Sequence, residues 1–211
     1  MNQSYGKQPD ARDMKSVPSL RPAREHEAVH LAVLMDIASR GLVSWYWSTL
    51  APAGEPPMEI GRARIQTRND LPSHFSRWTV AENERQIVGA SAGYMIPDPY
   101  NPGDVNELPE VYAPLLELET QAAGCWFLVS LSVYPEFRRR GIGSCLLQAA
   151  ISQAQDYPAG RMALTVSSEN RDALALYVRS GFSEAARRRY IAFPGSSERG
   201  DWILLTRDLS S

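Results

Sequence analysis

The sequence predicts a single α/β domain over residues 18–211, preceded by a flexible lead-in over residues 1–17. The chain has 211 residues, enough for one domain of ordinary size with a substantial core. Hydrophobic residues make up 44% and charged residues 22%, a mixture typical of globular proteins. Helix-like and strand-like segments alternate along the chain without an internal repeat, which indicates one α/β domain.

The first half of the chain contains two predicted helices and three predicted strands. Apolar residues recur at helical spacing from Ala28 to Ala38, and Gly41 is placed to end that helix. The elements are a strand over Ser19–Ala23, a helix over Arg24–Arg40, a helix over Glu59–Arg68, and strands over Phe75–Ala81 and Gln86–Ile96. The proline-containing segment Pro97–Gly124 follows, and its weak periodicity predicts a long connection over the surface.

The second half of the chain is more regular. The segment Cys125–Tyr134 is almost entirely apolar or small, as expected of a central strand covered on both faces, and Pro135 ends it. Asn170 is a favourable N-cap for a helix through Ser180, which Gly181 is placed to end. The other elements are a helix over Gly143–Gln155, a strand over Arg161–Ser167, and a closing hairpin of Arg187–Ala192 and Trp202–Leu209.

Composition argues against several classes of partner. The formal net charge is −2, which disfavours nucleic-acid binding and an adhesive membrane surface. No run approaches the roughly eighteen apolar residues of a membrane span, and the start of the chain lacks the apolar core of a secretory signal. Cys125 and Cys145 are too few for a disulfide framework, so we expect buried, reduced thiols. These observations predict a cytoplasmic protein with no nucleic-acid or membrane partner.

The segment from Val133 to Leu147 carries the strongest chemical signal. A buried strand runs into a loop of three arginines and two glycines, which opens directly into a helix. The first N–H groups of a helix lack internal partners and carry partial positive charge, and glycine lets a ligand approach the backbone closely. The loop therefore has the features of a pyrophosphate-binding site. It lacks the Gly-Lys-Ser/Thr of a P-loop, and Leu146 stands where a dinucleotide fingerprint has its third glycine or alanine.

Two motifs at the expected separation carry a family resemblance. The spacing Arg138-x-x-Gly141-x-Gly143 at a strand–helix junction resembles the acetyl-CoA motif of the GCN5-related N-acetyltransferases, the GNAT family. The stretch NRDALALYVRSGF is similar to a second motif of that family, matched by Asn170, Ala173, Tyr177, Gly181 and Phe182. The resemblance is strong over Cys125–Leu209, and over Ser19–Ile96 it is limited to the order of the elements.

The resemblance implies a fold and a co-substrate. The expected fold is a mixed, mostly antiparallel sheet of six to seven strands flanked by helices, in which the strand before the first motif splays from its neighbour. Acetyl-CoA would be the co-substrate, with coenzyme A in the gap between the splayed strands, and no metal is expected. The acceptor would be an amine of a small molecule or peptide that attacks the thioester directly. Proteins that resemble this sequence are often homodimers, so the resemblance also implies a homodimer as one assembly of this chain.

The resemblance also implies roles for particular residues. The Val133 amide would polarise the thioester carbonyl, and Tyr177 would donate a proton to the departing thiolate. The expected acetyl-CoA-binding residues are Leu131, Ser132, Val133, Arg138, Arg139, Arg140, Gly141, Ile142, Gly143, Ser144, Asn170, Ala173 and Tyr177.

The acceptor side of the site is less well specified. Histone-type members of the family carry a glutamate where this chain has Phe127, so the base that deprotonates the amine is open. Glu117 and Glu119 are candidate bases, a water chain is another, and both carboxylates are equally well explained as solvated loop residues. The run Trp45–Trp47 and the segment Pro97–Gly124 are expected to border the acceptor cleft, although helix packing is the favoured interpretation of the three aromatic residues.

Two other functions compete with acetyl transfer. A non-catalytic acyl-CoA sensor on the same fold is compatible with the motifs, although the presence of Tyr177 favours an enzyme. The run His26-Glu27-Ala28-Val29-His30 matches the H-E-x-x-H pattern of zinc metallopeptidases. Because His74 is the only other histidine and no further ligand motif follows, chance occurrence is the favoured interpretation of this run.

Overall fold

The computed structural model describes residues 18–102 and 108–209, and their strands form one seven-stranded sheet. The strands are β1 (Ser19–Pro22), β2 (Trp78–Asn83), β3 (Gln86–Met95), β4 (Trp126–Val133), β5 (Arg161–Ser167), β6 (Ser183–Arg189) and β7 (Asp201–Asp208). Their order across the sheet is β1-β2-β3-β4-β5-β7-β6. All neighbours are antiparallel except β4 and β5, which are parallel. The predicted mixed, mostly antiparallel sheet is therefore confirmed.

Helices cover both faces of this sheet. They are α1 (Ala28–Ser39), α2 (Leu42–Leu50), α3 (Pro57–Thr67), α4 (Ala113–Thr120), α5 (Ile142–Gln155) and α6 (Arg171–Arg179). The end of β4 separates the two faces, because neighbouring strand residues point in opposite directions. The Ser132 hydroxyl donates to the Leu34 carbonyl of α1 at 2.6 Å, whereas Val133 packs with Leu146 of α5.

The remaining helices divide between these two faces. Leu118 of α4 packs with Leu42 of α2 and Phe127 of β4, on the side that α1 covers. Tyr177 of α6 packs with Leu147 of α5 on the other side. We refer to the two sides as the α1/α4 face and the α5/α6 face.

A β-bulge in β4 decides which face each of its later residues reaches. Ala92 of β3 pairs with Ser130 and Gly93 pairs with Leu128, so Val129 is an extra residue in the ladder. The extra residue inverts the alternation, and as a result Val129 packs on the α1/α4 face while Val133 packs on the α5/α6 face. The sequence pattern alone predicts an uninterrupted strand here.

Two helices differ from the sequence expectation. The prediction contains no separate element between Gly41 and Glu59, yet α2 lies there, and its Trp47 ring sits where a Cβ on Gly61 would come within 2.3 Å. Aromatic residues are weak helix formers, so this helix depends on packing against α3 rather than on propensity. The prediction of a surface connection over Pro97–Gly124 is wrong, because α4 occupies part of it and buries Leu118 completely.

The other boundaries lie close to their predicted positions. Strand β5 matches its prediction residue for residue, and α3 and α5 begin one or two residues early. The largest shifts are at the starts of two elements: α1 begins at Ala28 rather than Arg24, and β6 begins at Ser183 rather than Arg187. The charged edge strand β6 lacks the apolar alternation that marks inner strands. The proposed lead-in over residues 1–17 lies outside the described residues.

Helix length and apolarity bear on membrane insertion. Within residues 18–102 and 108–209, no single helix is long and apolar enough to cross a membrane. The segments Glu25–Ser39 and Leu42–Leu50 reach that length and composition only as a pair bent by 120°.

Candidate active site

A cleft of about 1000 Å³ opens where β4 and β5 separate. Three residue pairs join these strands, and the last of them is Leu128 with Leu164. Beyond that pair, β4 runs on to Val133 and β5 to Ser167 without pairing to each other. Residues from both faces of the sheet line the cleft, so the gap connects the two faces. The splayed central strands that the resemblance implies are therefore present.

The backbone of β4 directs polar groups into this gap. The Tyr134 N–H donates to Val88 of β3 at 3.0 Å. Peptide groups point alternately to the two edges of a strand, so the N–H of Val133 and that of Leu131 face the gap. The backbone of Ser132 faces β3 instead, and its hydroxyl is bonded to α1. Of these three predicted residues, two therefore present backbone groups to a ligand in the gap.

The glycine-rich loop leads from β4 into α5. Gly141 is the N-cap of α5 and has a φ of +84°, a conformation that L side chains rarely adopt. The first hydrogen bond of the helix runs from the Cys145 N–H to the Gly141 carbonyl at 3.1 Å. The N–H groups of Ile142, Gly143 and Ser144 therefore lack helical partners, and no side chain in the described part of the chain caps this helix.

The protein's own packing does not require a glycine at position 143. A Cβ built there would lie 3.7 Å from Leu176, an ordinary contact distance, and one built on Gly141 would have no neighbour within 4 Å among residues 18–102 and 108–209. The space over the two glycines is therefore open on the side where the free N–H groups lie. This arrangement of open space and unpaired donors fits an anionic group such as a pyrophosphate.

The three neighbouring arginines take different directions. Arg138 and Arg139 line the cleft, and the Arg138 Nε donates to the Val133 carbonyl at 3.2 Å. Arg139 has a φ of +64° and makes a weak, exposed contact with Asp172 at 3.4 Å. Arg140 donates instead to the Glu136 carbonyl and lies over the ring of Phe137, and it does not line the cleft. The geometry thus favours the first two arginines over Arg140 as contacts for an anion.

The second motif brings α6 against the opposite wall of the gap. The Asn170 side chain accepts from the Ala173 N–H at 3.4 Å and caps the helix, as predicted. Tyr177 lies in the cleft wall with only 7% of its surface exposed. Burial raises the pKa of its phenol, so the hydroxyl stays protonated at neutral pH. No described residue hydrogen-bonds to this hydroxyl, which leaves its proton available for a ligand in the cleft.

Glu119 reaches the same cleft from the α1/α4 face. It lies on α4 and accepts a hydrogen bond of 2.8 Å from the Tyr100 hydroxyl. Burial raises the pKa of its carboxyl, and the hydrogen bond from Tyr100 opposes that rise. Tyr94, whose ring contacts Phe127, interacts with Tyr100 in turn. Glu119 is therefore a partly desolvated carboxyl close to the strand position where histone-type enzymes carry their glutamate.

Glu117 lies outside the cleft, although it is on the same helix. Its side chain is exposed and forms an ion pair with Arg188 of β6. The structure therefore separates the two candidate carboxylates, because residues two positions apart on a helix do not share a face. Glu117 lies in a solvated environment, the alternative that the sequence left open for both residues.

The histidine pair at the start of α1 gives no support to a metallopeptidase. Glu27 forms hydrogen bonds of 2.6 and 3.0 Å with the Arg21 guanidinium, and that contact lowers the pKa of its carboxyl. His30 lies 3.0 Å from the Tyr134 hydroxyl. Among the residues that the structure describes, no group of three or more His, Cys, Asp or Glu side chains is placed to hold a metal ion.

The aromatic run on α2 packs helices, the favoured sequence interpretation. Trp47 is buried against α3, and the Trp45 ring lies 5.5 Å from that of Phe193. None of the three aromatic residues lines the cleft. The segment Pro97–Gly124 does border it, through Tyr112, Leu115 and Glu119 of its helical part.

Several cleft residues were missed by the sequence prediction. Arg40 lies at the corner between α1 and α2, and Ser167 ends β5. Both contact Glu198 in the loop between β6 and β7. These residues belong to no local motif, and only the tertiary fold brings them together. The one available signal was the position of Arg40 directly before Gly41, at the end of a predicted helix.

Comparisons with known proteins agree with this geometry. A model of the Acetyltransferase (GNAT) family matches residues 39–182. A [ribosomal protein bS18]-alanine N-acetyltransferase of Escherichia coli K12 is 32% identical over 83 residues, which are 39% of this chain and 55% of that protein. The corresponding enzyme of Salmonella typhimurium is 34% identical over the same length. The chain thus spans about half the length of the curated relatives that it matches.

Solved structures share the fold at low sequence identity. A ribosomal-protein-alanine N-acetyltransferase from Brucella melitensis has a TM-score of 0.60 at 21% identity, with 90% of this chain and 99% of that chain covered. An acetyltransferase from Salmonella typhimurium, solved with its cofactor acetyl-CoA, has a TM-score of 0.59 at 14% identity and covers 93% and 96%. The family model spans well over half of the sequence and includes the splayed strands, the glycine loop and Tyr177. The chain belongs to the Acetyltransferase (GNAT) family.

Proposed function

We propose that this protein transfers the acetyl group of acetyl-CoA to an amine by direct attack. The observation that supports this most strongly is the unpaired end of β4 next to the free helix donors of Gly143 and its neighbours. A pantetheine arm needs backbone partners along an extended strand, and a pyrophosphate needs a concentrated set of donors. The gap supplies the backbone partners and the adjoining loop supplies the donors, as family membership leads one to expect.

The residues in the gap match the requirements of acyl transfer. The co-substrate supplies an acetyl group that is activated as a thioester. The Val133 N–H donates to the thioester carbonyl oxygen and stabilises the charge that develops there during attack. Holding the amine and the thioester in one cleft removes much of the entropic barrier. As the C–S bond breaks, Tyr177 donates its proton to the thiolate, a contribution of roughly 10²–10⁴-fold in rate.

Glu119 is the proposed base. The amine approaches from the α1/α4 face, because the glycine loop and Tyr177 occupy the α5/α6 face. Glu119 is the acidic residue that lines the cleft on the approach side, next to Tyr112 and Leu115. Its raised pKa brings the carboxyl closer to the range in which a base exchanges protons near neutral pH. Glu117 is not part of this proposal, since it faces away from the cleft.

The acceptor is proposed as an amine of a small molecule or peptide. The curated relatives act on an alanine of a ribosomal protein, and a polypeptide N-terminus is therefore one class to test. The approach side combines one carboxyl with apolar residues such as Leu42, Val43 and Leu115, which suits an amine on an uncharged body. The cytoplasmic location and the homodimer remain predictions. A non-catalytic acyl-CoA sensor is the alternative, and turnover distinguishes it from an enzyme.

The experiment is a thiol-release assay with the purified chain, acetyl-CoA and four acceptors. These are 2-phenylethylamine, spermidine, an aminoglycoside, and a hexapeptide that begins with alanine. Calorimetry with acetyl-CoA runs alongside it. We expect acetyl-CoA binding and faster thiol release with 2-phenylethylamine or the peptide than without acceptor. Binding without turnover on any acceptor would favour the sensor, and absence of binding would overturn the proposal.

A further inference from the structure

Glu198 is a buried carboxylate that contacts two separate walls of the cleft. It lies in the loop between β6 and β7, and only 6% of its surface is exposed. Its Oε2 accepts a hydrogen bond of 2.7 Å from the Ser167 hydroxyl at the end of β5. Its Oε1 forms an ion pair with the Nε of Arg40, at the corner between α1 and α2. One side chain thus connects three segments that are far apart in sequence.

Burial of the carboxylate distinguishes this pair from an ordinary surface ion pair, although the Arg40 side chain itself is 42% exposed. Exposed pairs contribute little because both charges are hydrated, whereas a buried carboxylate needs its partners to offset the loss of water. Arg187 and Glu184 on β6 are an exposed pair of the first kind. Removing either Arg40 or the Ser167 hydroxyl would leave the buried Glu198 carboxylate without one of its two partners. The three groups therefore hold one another in place.

The backbone at Arg40 is a second, independent observation. Arg40 has a φ of +56° and follows the end of α1, a position that usually favours glycine or asparagine. Gly41 also has a positive φ, of +91°, and α2 leaves at once in a new direction. A non-glycine residue in this conformation persists where its surroundings hold it, and such sites cluster in binding clefts. The backbone here is held by the Gly41 N–H, which donates to the Asp36 carbonyl at 3.1 Å, and the Arg40 side chain is held by Glu198.

The loop that carries Glu198 is ordered by its own polar contacts. The Glu198 N–H donates to the Ser196 hydroxyl at 3.2 Å, and that hydroxyl lies 2.9 Å from the hydroxyl of Tyr190. Phe193 of the same loop packs with Leu42 on the α1/α4 face. The loop therefore approaches the cleft from the face on which we place the acceptor, opposite the glycine loop.

We propose that Arg40 and Glu198 are positioning residues that fix the acceptor wall of the cleft, and this inference rests on the proposed function. Arg40 and Ser167 both line the cleft, and the ion pair, together with the hydrogen bond from Ser167 to Glu198, links the α1–α2 corner to the end of β5. It holds the corner and the β6–β7 loop at a fixed separation, which sets the shape that the amine encounters. Because the two charges neutralise each other, the wall does not oppose the approach of a cation. Acetyl-CoA, held on the α5/α6 face, does not depend on the pair.

The test uses Glu198→Gln, Arg40→Gln and the double variant, with Glu184→Gln as the control that breaks the exposed pair. Hydrogen exchange is measured over residues 36–43 and 190–200 in the presence of acetyl-CoA, and acetyl-CoA affinity is measured by calorimetry. KM is measured for 2-phenylethylamine and for the alanine-initiated hexapeptide. We expect each single variant to speed exchange in both segments and to raise the acceptor KM about tenfold, with acetyl-CoA affinity unchanged. The double variant, which leaves no unpaired charge, recovers most of the loss.

Each result bears on the proposal. Faster exchange in one segment only, or an equal loss of acceptor and acetyl-CoA affinity, would contradict a shared positioning role. If the control Glu184→Gln shows the same changes as Glu198→Gln, the shared positioning role is contradicted as well. If neither acceptor is acetylated, the paired exchange response alone decides whether the two residues hold both walls. If the wild-type chain fails to bind acetyl-CoA, the proposed function is wrong, while the exchange data still report on the pair.

Discussion

Leu128 and Leu164 are the last residues that pair between the two parallel strands at the centre of the sheet. Past this pair the strands carry unpaired peptide groups, and the β-bulge at Val129 turns the Val133 side chain towards α5. The cleft and the glycine loop meet at the opening that results, and Glu119 lines the same cleft. The function that we propose follows from this interruption of the sheet.

Replacing Tyr177 with phenylalanine tests the proton donor. The variant keeps the ring that packs against Phe182 and removes only the hydroxyl. We expect turnover at saturating substrates to fall by about 10²-fold or more, because the thiolate must leave without a proton. Affinity for acetyl-CoA should change little. Steady-state kinetics and calorimetry on the same preparation measure the two effects.

Tyr157→Phe is the matched control for that experiment. Tyr157 is largely exposed and does not line the cleft, so its hydroxyl has no access to the thioester. Its loss should leave turnover within about twofold of the wild type, as is usual for surface substitutions. If Tyr177→Phe turns over as fast as this control, Tyr177 is not the acid.

Replacing Glu119 with glutamine tests the base through its pH dependence. A carboxyl acts as a base only when it has lost its proton, so the rate should rise with pH as Glu119 ionises. Because burial raises the pKa of this group, the rise should lie above the ordinary range for glutamate. In Glu119→Gln that rise should disappear and leave only the titration of the amine. The measurement is kcat/KM against pH for both proteins.

Glu117→Gln gives the comparison on the same helix. Glu117 pairs with Arg188 in solvent, and its loss should leave the pH profile unaltered. Matching profiles for Glu119→Gln and the wild type would remove Glu119 from the base role and would favour a water chain.

The parts of the site that were predictable lie within short stretches of sequence. The motif from Arg138 to Ser144 combines charge, backbone freedom and a helix start within seven residues, so local chemistry identifies it. Asn170 and Tyr177 are spaced by helical turns for the same reason. Arg40, Glu198 and Tyr100 come from three distant segments, and no local pattern indicates that Arg40 lines the cleft with Glu119, that Glu198 pairs with Arg40, or that Tyr100 bonds to Glu119.

In the fold, too, the elements that were predictable are those with a strong local sequence pattern. The buried strands and the helix α5 have strong apolar periodicity, and their predicted bounds agree closely with the structure. Helices α2 and α4 are short, and one contains the aromatic run Trp45–Trp47 while the other contains Pro114. Their stability comes from tertiary contacts such as that of Trp47 with Gly61, which local propensity does not reveal.

Gly93→Ala tests the packing around the β-bulge. A Cβ on Gly93 would lie 2.0 Å from the ring of Trp126, which is almost completely buried. Because the ring has no room to move, we expect overpacking to lower the free energy of unfolding by about 1–3 kcal/mol. Gly160→Ala, where a Cβ meets no atom within 4 Å, is the control. Urea denaturation compares the two, and equal stability would show that the Trp126 ring is not fixed against β3.

Calorimetric titration of acetyl-CoA into Gly143→Ala and Gly141→Asp tests whether the glycine loop binds the pyrophosphate of the co-substrate. A Cβ at 143 makes only ordinary contacts within the protein, so any loss of affinity in that variant reports on crowding of the ligand. Gly160→Asp is the control for the added charge, and thermal unfolding checks that each variant is folded. We expect clear binding by the wild type and by Gly160→Asp, binding at least about tenfold weaker than wild type by Gly143→Ala, and none by Gly141→Asp. Unchanged affinity in both loop variants would contradict the assignment of this loop to the pyrophosphate and, with it, the proposed acetyl transfer.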